Sequence, residues 1–236
     1  MRIGLASYRC ENRNIAFNLR QIELAMKSSA GKVDLLCFGE AFLQGFDALS
    51  WNYEADRAMA LEQSSDTIAR LQEWTVQYGI SLLTGYIEKE QDKLYSSCIV
   101  LSEGKIIHNY RRISKGWKEY WKTDAHYCEG NEVTPFRLHG KDITLTLCGD
   151  LWDFPERFRT EHLLIWPVYV NYSIEEWDHG VVDEYAVQAS LAAADVLMIN
   201  PMDAAPINHG GSFHFRNGKT VARLPFDQEG ILIVEI

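Results

Sequence analysis

Apolar positions along this chain recur in two rhythms that take turns, one of period two and one near 3.6. Arg2–Tyr8 alternates over the length of a strand. Asn14–Ser29 then sets Ile15, Leu19, Ile22 and Met26 at helical spacing, and Ala30-Gly31 ends that pattern. Val33–Phe38 is a continuous apolar run, as expected of a strand covered on both faces. A second helix is predicted over Leu61–Tyr78. Ser65 or Asp66 caps it, Ile68, Leu71, Trp74 and Tyr78 form its apolar stripe, and Gly79 closes it. Ile80–Ile87, Leu94–Leu101 and Lys105–Arg112 read as three strands joined by turns, a meander of neighbours.

The second half repeats the alternation of strand and helix. Val133–Leu138 and Lys141–Leu147 form a predicted hairpin, followed by a helix over Pro155–Leu163 and a strand over Leu164–Val170. A helix over Val181–Ala194 leads to a strand over Val196–Asn200. His209–Phe215 and Thr220–Leu224 should pair across Asn217-Gly218, and Ile231–Ile236 is the last strand. Between the two halves, residues 112–130 are polar, aromatic and without a period. Long irregular loops in compact domains are often functional. The pattern is that of one α/β domain over residues 1–236, without internal repeat or linker.

Composition narrows the partners. A net charge of −10 argues against nucleic acid and anionic membranes. No stretch is apolar enough over the length needed to span a membrane. The five cysteines contain no CxxC, which reads as reduced thiols in a cytoplasmic protein. The seven histidines form no HxxxH or HExxH pair, so no metal is expected.

Three places carry candidate chemistry. The strand pattern that ends in Ile143, Leu145 and Leu147 breaks off at Cys148-Gly149-Asp150. Gly149 permits a sharp turn, and Pro155 and Glu156 suit a helix start. Cys148 is thereby predicted at a strand-to-helix elbow, where backbone N–H groups surround an exposed nucleophile. Glu40 follows the buried run Val33–Phe38 among apolar neighbours, where a carboxylate needs a partner or a task. The aperiodic loop supplies Lys115, Lys118 and Glu119.

Together these pieces resemble the carbon–nitrogen hydrolase (nitrilase) superfamily. FGEAFLQGF, LLTGYIE, LYSSCIVLSEGKIIHNYRR, LTLCGDLWDFPE and HGGSFHFRNGK occur in the family's order along nearly the whole chain. The resemblance implies a four-layer α-β-β-α sandwich of the nitrilase type, assembled as a homodimer or larger. It also implies a Glu-Lys-Cys triad that needs no cofactor. Glu40 matches the general base, Cys148 the nucleophile and Glu119 a supporting second glutamate. The lysine departs from the pattern: where the family closes a Tyr-Arg-Lys run, this chain reads Tyr110-Arg111-Arg112. Lys115 is the expected triad lysine, with Arg112 and Lys118 as the alternatives, because a compact ammonium and a planar guanidinium are not interchangeable.

The implied reaction is hydrolysis of a small amide through a cysteine thioester. Lys115 and the Gly149 N–H would hold the oxyanion. Nitrile and N-carbamoyl substrates use the same machinery. Two further classes fit the residues: a noncatalytic small-molecule-binding protein on this fold, and a redox-sensing thiol protein with Cys128 as the resolving cysteine.

Overall fold

The computed structural model describes residues 1–204 and 207–236. The first half holds β1 (Arg2–Ser7), α1 (Ile15–Ser29), β2 (Leu35–Cys37), α2 (Tyr53–Met59), α3 (Asp66–Tyr78), β3 (Ser81–Glu90), β4 (Lys93–Ser102) and β5 (Lys105–Arg111). The second holds β6 (Phe136–Leu138), β7 (Lys141–Leu145), α4 (Asp150–Asp153), β8 (Leu163–Pro167), α5 (Ile174–Glu176), α6 (Val182–Ser190) and β9 (Asp195–Ile199). Short strands β10 (Met202–Ala204) and β11 (Ile207–His209) follow, then β12 (Ser212–Arg216), β13 (Lys219–Leu224) and β14 (Gly230–Glu235).

Two six-stranded sheets result, in the orders β14-β1-β2-β3-β4-β5 and β13-β12-β9-β8-β7-β6. Each has a parallel centre, β1-β2-β3 in one and β7-β8-β9 in the other, flanked by antiparallel strands. Apolar residues on alternate positions explain the stacking. Ile3, Leu5, Leu35, Cys37 and Leu83 of the first sheet meet Leu145, Ile165 and Leu197 of the second in one buried cluster. Their strand neighbours Leu36 and Leu82 turn outward onto Ile22 and Met26 of α1 and Ile68 and Leu71 of α3. Tyr185, Ala186 and Ala189 bring α6 against the outer side of the second sheet. The layers are helix, sheet, sheet, helix, as expected, and the sheet interface buries apolar surface on both sides.

Most predicted elements are present, and the differences have local causes. The second helix begins at Asp66, not Leu61. Leu61 instead pairs with the sheet, donating to the Ile87 carbonyl and accepting from the Lys89 N–H, both at 3.0 Å. Ser65 caps α3 and Gly79 closes it with φ 64°. The helix predicted from Pro155 starts earlier, at Asp150, and breaks at Phe154, whose φ of −141° and ψ of 50° leave the helical region that a following proline disfavours. Pro155–Phe158 is then a single 3₁₀ turn. The predicted run His209–Phe215 divides because Gly210 and Gly211 take φ values of 72° and 98°, which separate β11 from β12. The Asn217-Gly218 hairpin between β12 and β13 forms as predicted. Helix α2 carries no stripe of its own in the sequence. Asn52 starts it, its side chain accepting from the Ala55 N–H at 3.1 Å.

Candidate active site

Both chemical residues of the sequence sit just past the carboxyl ends of central parallel strands, Glu40 after β2 and Cys148 after β7. Open parallel sheets place ligands there, because the chain must leave the sheet on diverging paths. The two loops are tied together across the sheet interface: the Glu40 N–H donates to the Val168 carbonyl at 3.2 Å, and the Cys148 N–H to Pro167 at 3.0 Å. Pro167 ends β8 and Val168 follows it, so a single strand end sets the positions of both Glu40 and Cys148. The first loop also needs Gly85, since a Cβ there would stand 2.4 Å from the Ala41 N–H nitrogen and 2.5 Å from the Gly39 carbonyl oxygen. Both loops turn through the left-handed region, at Ala41 (φ 50°) and at Cys148 itself (φ 39°). Non-glycine residues avoid that region, and strained positions of this kind gather at functional sites.

Glu40 is fully buried. Its Oε1 accepts from Ser96 Oγ at 2.8 Å and from Arg112 Nη1 at 2.9 Å. Its Oε2 has no hydrogen-bond partner among the described residues. Cys148 is partly accessible, with its sulfur 3.7 Å from the Tyr169 carbonyl. Burial, and then the Glu40 charge, push the thiol up to about 12, against the opposing pull of Arg112. Burial and the Glu40 charge thus disfavour the thiolate, next to a carboxyl whose Oε2 has no hydrogen-bond partner among the described residues.

Arg112 is the third member. It is 3 % exposed, and its guanidinium is held at two corners, by Ser114 Oγ on Nε at 2.7 Å and by Glu40 on Nη1. Burial opposes its charge, yet the charge of Glu40 above all, with that of Asp150, outweighs burial and holds the guanidinium protonated more firmly than usual. Asp150 fixes the segment. Its Oδ1 accepts from the Ile113 and Ser114 N–H groups at 3.1 and 2.7 Å, and its Oδ2 from Tyr110 Oη at 2.6 Å and the Leu147 N–H at 2.9 Å. A residue two past the cysteine therefore clamps the residues one and two past the arginine.

The structure does not bring Lys115 to this cluster, which corrects the sequence-based expectation. Lys115 is exposed and donates to Tyr120 Oη at 3.1 Å. The cause is the clamp on Ile113 and Ser114: it keeps the β5 alternation running through Arg112, so Arg112 turns inward and the 3₁₀ turn Lys115–Trp117 points its lysine out. Lys118 is drawn away to Glu129, at 2.7 Å. Glu119 is exposed, and its carbonyl accepts from the Lys122 and Thr123 N–H groups in a turn. Cys128, the suggested resolving thiol, lies in the same outer loop and is bonded to the Ala125 carbonyl.

Arg112 was legible as an alternative through strand parity. Ser96, Ser114 and Asp150 were not singled out. The only signal for Asp150 was a carboxylate directly after Cys-Gly, at the start of a helix too short to bury it otherwise.

A loop-borne glutamate, a buried cation and an elbow cysteine between two sheets define a class. The carbon–nitrogen hydrolase family model matches residues 4–236, and the chain belongs to that family of enzymes. It is 26% identical over 161 residues to an (R)-stereoselective amidase of a Pseudomonas species, covering 67% of this chain and 55% of the amidase. It is 23% identical over 154 residues to a glutamine-dependent NAD(+) synthetase of Thermotoga maritima, covering 65% of this chain and 26% of the synthetase. The matched regions thus span about half of one relative and a quarter of the other. Among solved structures, a CN-hydrolase superfamily protein of Xanthomonas campestris, with an arsenic adduct in its active site, superposes with a TM-score of 0.80 at 17% identity. That match covers 99% of this chain and 89% of the other. Among the described residues, no helix is long and apolar enough to cross a membrane.

Proposed function

We propose that this protein hydrolyses the carbon–nitrogen bond of a small amide, with Cys148 as nucleophile, Glu40 as general acid and base, and Arg112 in the role expected of a lysine. The observation that carries the reading is the buried contact of Glu40 with Arg112 beside the Cys148 elbow. The amidase relative supports the amide as substrate class.

In this reading Glu40 Oε2 takes the thiol proton as sulfur attacks the carbonyl carbon. The negative oxygen that forms meets the Gly149 N–H and the Arg112 guanidinium, donors worth a few kcal/mol each in a dry site. Collapse breaks the carbon–nitrogen bond, and the leaving amine carries off the proton held by Glu40. Glu40 then draws a proton from water, whose oxygen attacks the thioester. The acid leaves and the proton returns to sulfur.

A panel of small amides, nitriles and N-carbamoyl compounds with ammonia detection tests the reading. Turnover on an amide that disappears in Cys148→Ala supports it. Turnover that survives in Cys148→Ala removes Cys148 from the chemistry.

A second reading, small-molecule binding without turnover, is favoured by the arginine at the lysine position, since a guanidinium is a broader and more weakly hydrated charge. Mass spectrometry separates the two. An acyl adduct on Cys148 after incubation with an amide means chemistry, and saturable binding with an unmodified thiol means none.

A further inference from the structure

We propose that Gly149 is a positioning residue, whose missing side chain makes the space that lets an arginine rather than a shorter cation stand beside the Cys148 thiol. The inference rests on the site reading above but not on turnover. Gly149 has φ −63° and ψ −10°, ordinary helical values that any residue adopts. The backbone therefore gives no reason for glycine here, and the reason must lie in what a side chain would meet. A Cβ at Gly149 would stand 2.5 Å from Arg112 Nη2 and 3.2 Å from Ser114 Oγ. A second glycine, Gly116, flanks the same corner, and its Cβ would stand 3.0 Å from Nη2.

A flexible side chain would simply swing away from such a contact. Arg112 is not free to do so. Its Nε is bonded to Ser114 and its Nη1 to Glu40, in an interior where both arginine and glutamate are buried. Moving Nη2 by an ångström rotates the rigid fork and breaks at least one of these charge-assisted bonds. The Gly149 backbone follows Cys148 directly, so the corner of the guanidinium that it accommodates is also the corner facing the nucleophile's own turn. A lysine at position 112 would have no atom at that corner, and a side chain at position 149 would then meet nothing charged.

The residue after the nucleophile and the cation thirty-seven positions earlier are therefore a coupled pair. A side chain at position 149 should displace the charge when Arg112 carries it, and leave it in place when a lysine stands at position 112.

The test is a double-mutant cycle of Gly149→Ala and Arg112→Lys, read by the rate at which iodoacetamide alkylates Cys148, followed on its own peptide at pH 9. An adjacent cation lowers a thiol's pKa by about one unit or more, so losing it slows alkylation roughly tenfold below the midpoint. Gly149→Ala in the wild-type background should show that roughly tenfold loss, and Arg112→Met should reproduce it. In the Arg112→Lys background, Gly149→Ala should change the rate by less than about twofold. An equal loss in both backgrounds, or none in the wild type, overturns the proposal. If Gly149→Ala does not fold in the wild type, the same cycle is read as melting temperature by calorimetry. The alanine must then lower it with Arg112 and spare it with Lys at 112, and equal lowering in both overturns the proposal. Alkylation reports on the guanidinium whether or not any amide is turned over. A silent amide panel with intact coupling thus overturns the hydrolase reading alone.

Discussion

Arg112 Nη1 and Glu40 Oε1 stand 2.9 Å apart, and both side chains are inside the protein. A buried pair of this kind gives little net stability, because desolvation of the two ions consumes most of their attraction. Removing one partner is another matter, since it strands a charge. The pair is therefore better understood through what it does for the thiol beside it. The cation favours thiolate, the carboxylate disfavours it, and together they keep the site near neutral until a proton moves.

The cation prediction reverses the one drawn from the sequence. Arg112→Met should remove most activity on any amide the protein turns over, on the order of 100-fold or more, as for loss of an oxyanion donor. Lys115→Met should stay within about twofold, because the Lys115 nitrogen is bonded to the exposed Tyr120 hydroxyl. Ammonia release measured on both variants decides between them. Equal losses would return Lys115 to the chemistry.

Glu40→Gln keeps the shape and removes the carboxylate proposed as the base. Turnover should fall by about 100- to 10,000-fold, the usual worth of general acid–base catalysis. It should also destabilise the fold by up to about 3–5 kcal/mol, since Arg112 stays buried without an anion. Urea unfolding measures the second effect, and single-turnover ammonia release on folded protein the first. Unchanged stability would mean that Arg112 finds another partner.

Asp150→Asn tests the clamp. The carboxylate receives four donors, three of them backbone N–H groups. An amide offers one acceptor oxygen and sets its own N–H groups against one pair of these donors. Each buried donor left unpaired costs about 1–3 kcal/mol. The melting temperature should fall by roughly 2–4 °C for each kcal/mol in a chain of this size. Because the clamp sets where Arg112 stands, alkylation of Cys148 should slow as well. A stability loss without a change in thiol reactivity would make Asp150 a packing residue alone.

Why some of this was legible in the sequence and some not follows from the physics of each signal. Val33–Phe38 betrays itself because a parallel strand buried on both faces is apolar throughout, and Ile143–Leu147 because Ile143, Leu145 and Leu147 alternate with threonines. Glu40 and Cys148 stood out as chemically costly residues where such runs stop. Lys115 is expected from the compactness of an ammonium, but the backbone carries it outward to Tyr120. The alternation of β5 extends one residue past its last paired position, where the Arg112 N–H donates to the Ser96 carbonyl at 2.9 Å, and the Asp150 clamp holds the residues that follow. That clamp joins residues 36 and 37 positions apart, a pairing that no local pattern records. Helix α2 and the early start of α4 were missed because each is too short to carry a period.

The last prediction concerns acid stability, and it lies away from the active site. Glu88 is 1 % exposed and carries five side-chain bonds, from Arg111 twice and from Ser97, Asn109 and Gln63 once each. Burial alone would raise its pKa, but Arg111, Ser97 and Gln63 outweigh it and hold the carboxyl below its ordinary value. An acid whose folded pKa is depressed stabilises the fold above its unfolded pKa, near 4.3, and that contribution drains away as pH falls through the folded value. Glu88→Gln cannot titrate. The variant should be less stable than the wild type at pH 7, with Arg111 losing an anion though Glu90 remains 3.0 Å away. The gap between the two proteins should narrow steadily from about pH 4.5 downward. Urea midpoints taken at half-unit pH steps from 7 to 3 follow the gap directly. A gap that stays constant over that range would mean Glu88 titrates alike in the folded and unfolded protein, and would overturn the depressed value.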